Sequence, residues 1–224
     1  MESRTTTLSI SPDRQIRAVV GLPSSPALNA VLILGHGANN TMDHPVVAGI
    51  QKRLVDAGAA AVRFNFPYAE EGRKHPDPDA VLEGTLSLIR EYVTAQEDFR
   101  GLKLFLGGKS MGARIAAQLV SQGAGAAGLV FLGYPLHPPG KPENLRDKPL
   151  YALPCPALFI QGSRDPFCTF ARLGEVLTNM PVPTDLHVLP GLGHSYEKGK
   201  EPVTPEVLDE VGRVVAAWIK SLRP

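Results

Sequence analysis

The chain has 224 residues, 43% of them hydrophobic, and a formal charge of +1. That length can bury a sizeable core and fits a single domain over residues 1–224. The near-neutral charge gives no sign of an electrostatic grip on nucleic acid or on an anionic membrane surface, and neither partner is expected. No apolar run reaches the ~20 residues that a membrane-crossing helix needs, and "MESRTTTLSI" lacks the basic-then-apolar profile of a secretory signal, so a cytoplasmic location is expected. Cys155 and Cys168, the only cysteines, are not spaced as a redox or zinc element and read as packing residues.

In chain order, "TTTLSI" and "RQIRAVVGLP" flank the turn signal Ser11-Pro12-Asp13, which predicts an antiparallel hairpin at a sheet edge. Short apolar runs then alternate with helical stretches: "AVLILGHG" before 43–58, "AAVRFNFPY" before 78–96, and "LKLFLGG" before 110–122. Further strands are predicted at "GAAGLVFLGYP", "ALFIQGS" and "TDLHVLPG", with helices near 169–179 and 205–222. The runs are apolar throughout, as expected of parallel strands covered on both faces. Thr204 and Pro205 mark the start of the last helix, whose apolar face includes Val211, Val215 and Trp218. Seven prolines between 135 and 156 rule out a long regular helix and predict a rigid crossing loop. The expected fold is a mostly parallel sheet with helices on both faces, an antiparallel start and minimal or no cap.

The turn in "LFLGGKSMGARIAAQLV" admits two chemistries. A Walker phosphate loop needs a glycine at position 103, where Lys103 stands in an extended apolar run. A dinucleotide fingerprint at Gly35 and Gly37 fails too, because Asn40 replaces the third glycine and Asp56 falls in a helix instead of at a strand end. The remaining reading is a G-x-S-x-G elbow, with Gly108 and Gly112 relieving the strain of a sharp strand-to-helix turn that lifts Ser110 above the sheet. The pattern alone arises by chance on the order of once in ten such chains, so its strand–turn–helix setting carries the weight.

A serine hydroxyl is a poor nucleophile without a base, normally a histidine oriented by a carboxylate. Asp165 in "SRDPF" and His194 in "LGHSY" follow two successive predicted strands, on loops opening at the same edge as Ser110. Taken alone, each has a bland alternative: Asp165 as a turn or cap residue, His194 as an idle surface histidine. His187 lies within a strand, His137 in the proline-rich loop, and His44 and His75 precede prolines, so none is as well placed. Acyl transfer also needs two donors for the developing oxyanion. These are predicted to be the backbone amides of Met111 and Ala38, with Asn39 as the nearby alternative and His36 as a structural hydrogen-bonder. Asn39, Lys109 and Tyr134 are candidate substrate contacts, and Lys109, Arg114 and Arg164 would suit an acidic substrate unless they are merely solvated. No cofactor or metal is called for.

These residues give the chain a resemblance to the α/β-hydrolase superfamily over nearly its whole length. "GGKSMGAR", "FNFPY" and "LGYPLHPPGKPENLR" further resemble a small bacterial dienelactone-hydrolase-like group related to testis-expressed hydrolase-fold proteins. True dienelactone hydrolases carry a cysteine nucleophile where this chain has Ser110, so their substrate does not carry over. The implied activity is serine hydrolysis of an ester or related acyl bond in a small, accessible substrate. Alternatives are a thioesterase or peptidase with the same triad, or a noncatalytic binding or scaffold protein on the same fold.

Overall fold

A computed structural model describes residues 2–222; position 1 and positions 223–224 of the expected domain lie outside it. The chain opens with an antiparallel hairpin, β1 (Glu2–Ser11) and β2 (Arg14–Leu22). It continues through β3 (Ala30–Gly35), α1 (Pro45–Asp56), β4 (Ala60–Phe64), the single turn α2 (Pro67–Glu70), and α3 (Asp79–Ala95). Next come β5 (Lys103–Lys109), α4 (Met111–Ser121), β6 (Gly128–Leu132), β7 (Ala157–Gly162), α5 (Phe170–Asn179), β8 (Thr184–Leu189) and α6 (Pro205–Ser221). The strands form one sheet in the order β1-β2-β4-β3-β5-β6-β7-β8. From β4 to β8 the pairing is parallel, and the hairpin adds its two antiparallel strands at one edge.

The unbroken apolar runs divide between two cores with the period of two that a pleated strand imposes. Val31 and Ile33 of β3 and Leu129 and Phe131 of β6 pack into one core, beneath α3, α4 and α5. Their neighbours Leu32, Leu34, Val130 and Leu132 face the other, beneath α1 and α6. Trp218 of α6 is a packing residue, edge-on to Phe105, with its indole N–H donating to Asp185 at 2.9 Å. Thr204 caps α6, accepting from the Val207 amide.

Two strands are shorter than their apolar runs suggest. The run through Tyr68 ends as a strand at Phe64, because Pro67 has no N–H to give a ladder and instead opens α2. The run from 125 to 135 narrows to Gly128–Leu132. Between β6 and β7 the proline-rich stretch holds only a 3-10 segment, Lys148–Ala152.

Strand order reverses at β3. The chain moves outward from β3 to β4, returns across it to β5, and then builds in the opposite direction. The crevice beyond the carboxyl ends of β3 and β5 is the place where such sheets bind ligands.

Candidate active site

The β5–α4 turn holds Ser110 at φ 53° and ψ −111°, a strained backbone for a residue with a side chain, costing on the order of 1–3 kcal/mol. Its neighbours show why glycine flanks it. A Cβ on Gly108, at φ 149°, would lie 2.2 Å from the Gly35 carbonyl oxygen, and one on Gly112 would lie 2.3 Å from the same atom. The elbow therefore seats directly on the end of β3. The Ser110 amide donates to the Leu132 carbonyl of β6 at 3.1 Å, and the Ser110 carbonyl accepts the Arg114 amide as α4 begins.

Asp165 follows β7 and His194 follows β8, and the structure brings both to Ser110. His194 Nδ1 stands 2.7 Å from Asp165 Oδ2, and its Nε2 stands 2.8 Å from Ser110 Oγ. An ionised carboxylate only accepts, so the imidazole proton sits on Nδ1, and Nε2 is left free to accept the serine proton. Asp165 is buried and held by two further donors, Gln161 Nε2 to Oδ2 at 2.5 Å and the Phe167 amide to Oδ1 at 2.8 Å. The Phe167 ring lies against the imidazole, centroids 4.3 Å apart. Burial lowers the His194 pKa below its ordinary 6.5; the hydrogen bond that its ring donates to Asp165 opposes this, and the Lys109 charge adds to it. His194 is thus neutral at physiological pH, the form a base requires.

The loop after β3 carries the second half of the site. His36 is buried, and burial brings its pKa down to about 4. Its Nε2 accepts the Phe66 amide at 3.0 Å, so its proton is on Nδ1 and donates to the Gly37 carbonyl at 2.8 Å. The Tyr68 hydroxyl donates to the same oxygen at 3.1 Å. Two inward donors thus fix the Gly37–Ala38 peptide, and in a trans peptide the Ala38 N–H points the opposite way from that carbonyl. Gly37 passes close to Ser110, since a Cβ there would meet Ser110 Cβ at 3.4 Å. Ala38 and Met111 both border the cavity in front of the serine.

That cavity has a volume of about 600 Å³ and also reaches Asn39, Phe167 and Arg146. Of the three candidate substrate contacts, Asn39 lies on its rim in a left-handed conformation, φ 58°. Lys109 borders it too but is only 2% exposed, its ammonium directed toward Gly133 and His194. Burial brings the Lys109 pKa down to about 7, against the pull of Asp165 and Glu197. Tyr134 is not at the cavity: it is fully buried against Phe131 and Phe159, and its hydroxyl donates to the Arg146 carbonyl at 2.8 Å. A large aromatic at the end of an apolar strand is drawn into the core, and its one polar atom then needs an internal partner. Arg114 borders the cavity paired to Asp79, whereas Arg164 does not border it. Cys155 and Cys168 are buried free thiols, with burial raising their pKa to about 11 and about 12.

No sequence pattern singles out Tyr68, Gln161 or Arg146 as site residues. Tyr68 has a signal in hindsight, an aromatic directly after Pro67 at the end of a strand run. Gln161 and Arg146 have none, being single polar residues whose roles depend on distant partners.

A sheet of this order, with a serine elbow after β5 and a histidine and an acid on later loops, defines the α/β-hydrolase class of fold. The chain matches the family described as Alpha/beta hydrolase domain over residues 28–220, and it belongs to that family. Among solved structures, it is similar to an alpha-beta serine hydrolase homologue from Coxiella burnetii, with 20% identity, TM-score 0.76 and 96% of each chain covered. It is also similar to a dienelactone hydrolase from Anabaena variabilis, at 17% identity and TM-score 0.77, covering 98% of this chain and 97% of the other. A Xanthomonas campestris protein described as an a/b serine hydrolase without lid shares 20% identity at TM-score 0.77, over 100% of this chain and 97% of that one. Among the described residues, no helix is long and apolar enough to cross a membrane.

Proposed function

We propose that the protein is a serine hydrolase cleaving an ester or related acyl bond of a small, accessible substrate. The observation that carries this reading is the unbroken relay from Ser110 Oγ to His194 Nε2 at 2.8 Å and from His194 Nδ1 to Asp165 Oδ2 at 2.7 Å, opening on a cavity bordered by Ala38 and Met111. His194 takes the Ser110 proton as Oγ attacks the carbonyl carbon. The amides of Ala38 and Met111 receive the oxyanion, and Asp165 stabilises the imidazolium. His194 then gives its proton to the leaving oxygen. Water, deprotonated by the same histidine, releases the acyl group and restores the serine.

The stretch between β6 and β7 has no helical cap, and the Xanthomonas protein described as lacking a lid has a similar fold. Both support an open site that favours short acyl groups. A noncatalytic scaffold is the less favoured reading, since no member of the relay is missing.

Labelling with a fluorophosphonate probe tests the proposal. Ser110 should be the modified residue, and Ser110→Ala should abolish both labelling and cleavage of p-nitrophenyl acetate and butyrate while the protein still unfolds cooperatively. A fully active Ser110→Ala protein would end this reading, and a preference for dodecanoyl over acetyl esters would refute the open-site argument.

A further inference from the structure

The wall of the cavity carries Lys109, Arg114 and Arg146 and, among the described residues that border it, no carboxylate. The three cations are not equivalent. Arg114 is neutralised by Asp79, which receives both of its terminal nitrogens. Lys109 is only 2% exposed, its ammonium close to Gly133 and His194, so it is not free to meet a ligand as an exposed side chain is. Arg146 is exposed at the mouth, and the one bond its guanidinium makes among the described residues is a long one, 3.5 Å, to the Pro135 carbonyl. A cleft with charge of one sign and low-dielectric walls concentrates counter-charge at its mouth.

The loop holds this arginine firmly. The Arg146 amide donates to the Leu136 carbonyl at 2.7 Å, and its own carbonyl accepts the buried Tyr134 hydroxyl at 2.8 Å. The loop is also tied to the segment carrying the acid, because the His137 amide donates to the Phe167 carbonyl and His137 Nε2 accepts the Thr169 amide. With its ring proton therefore on Nδ1, His137 donates to Pro138. Arg146 has a backbone fixed on both sides and a guanidinium left over for a ligand.

We propose that Arg146 docks a carboxylate on the substrate, so that the preferred esters carry a negative charge remote from the scissile bond. This deepens the hydrolase reading and rests on it. One unpaired guanidinium offers a planar fork that fits one carboxylate and one negative charge. The proline-rich loop would then select by charge and not by enclosure.

Two pairs of esters test this. The p-nitrophenyl monoester of adipate is compared with its methyl-capped diester, placing the charge on the acyl side. 4-Acetoxybenzoate is compared with its methyl ester, placing the charge on the leaving group. In at least one pair, kcat/KM for the charged ester should exceed that for the neutral one by about tenfold or more, the scale of one charge-assisted hydrogen bond. Arg146→Gln should collapse that ratio to near one, Arg146→Lys should retain part of it, and added salt should reduce it in the parent protein. Because the readout is a ratio within one preparation, partial unfolding of a variant does not imitate it. If neutral esters are cleaved and neither charged member is preferred, or if Arg146→Gln leaves the ratio unchanged, this proposal falls and the hydrolase reading stands. If Ser110 resists the fluorophosphonate and no ester is cleaved, both fall.

Discussion

Replacing Tyr68 with phenylalanine removes one buried hydroxyl that does not border the cavity, and it should still slow the proposed reaction. The Gly37 carbonyl is held by two donors, His36 Nδ1 at 2.8 Å and the Tyr68 hydroxyl at 3.1 Å. In the proposed mechanism, together they hold the Ala38 amide facing the cavity. Losing an oxyanion donor outright costs about 2.7–4 kcal/mol of barrier, so that range is the ceiling for any perturbation of this peptide. With His36 still in place, Tyr68→Phe forfeits one neutral hydrogen bond, about 1 kcal/mol, which corresponds to about a fivefold fall in kcat. His36→Ala removes the other donor and also strands the Phe66 amide, so the double variant should approach the ceiling. The assay is steady-state kinetics on p-nitrophenyl butyrate, together with the inhibition constant of a trifluoromethyl ketone, whose hemiketal oxygen mimics the oxyanion. The expected pattern is a fall in kcat and weaker ketone binding, with KM little changed. A Tyr68→Phe protein with parental kcat, or one altered only in KM, would refute the idea that this hydroxyl aims the peptide.

The acid limb of the kcat/KM profile should lie below pH 6.5, because burial lowers the His194 pKa and activity is lost only as His194 gains a proton. Lys109→Met removes a charge that helps keep that pKa low, so the limb should move to higher pH; a limb that stays put would show that the lysine does not bear on the base. Gly112→Ala forces a Cβ to within 2.3 Å of the Gly35 carbonyl oxygen and 2.9 Å of its Cα, backbone that has little room to yield. It should destabilise the protein by about 3 kcal/mol, the upper end of overpacking effects, and an unchanged urea midpoint would contradict the close seating of the elbow on β3.

The sheet and the relay were legible in the sequence for different reasons. Parallel strands covered on both faces need continuous apolar runs, so "AVLIL" and "ALFI" announce themselves, and Ser110, Asp165 and His194 each lie on the loop after a strand, although the last of these, "TDLHVL", is a partly exposed edge strand. Ser110, Asp165 and His194 share that address, and the common direction of the strands brings them to one edge. The failures share a cause as well. Tyr134 stands beyond a strand just as the others do, yet its ring is captured by Phe131 and Phe159, a packing outcome that no local pattern encodes. Arg146 lies in an irregular loop whose path depends on Tyr134, Leu136 and His137, so its place at the cavity mouth follows only from tertiary bonds.

The spacing between Ser110 and the Ala38 amide, the proposed nucleophile and oxyanion donor, is set by sheet register more than by loop conformation. Gly35 and Gly108 are direct partners in the β3–β5 ladder, and the Gly35 carbonyl fills the space that a side chain on Gly108 or Gly112 would need. Two residues beyond Gly35 lies the peptide that His36 and Tyr68 hold; two residues beyond Gly108 lies Ser110. A one-residue slip between these strands would separate the serine from the Ala38 amide and also reverse the faces of Leu32, Ile33 and Leu34 between the two cores. The burial that holds the strands in register therefore also fixes the distance between Ser110 and the Ala38 amide across which the proposed reaction would take place. The strain at Ser110 persists because leaving that conformation would break the Leu132 contact and unseat the start of α4.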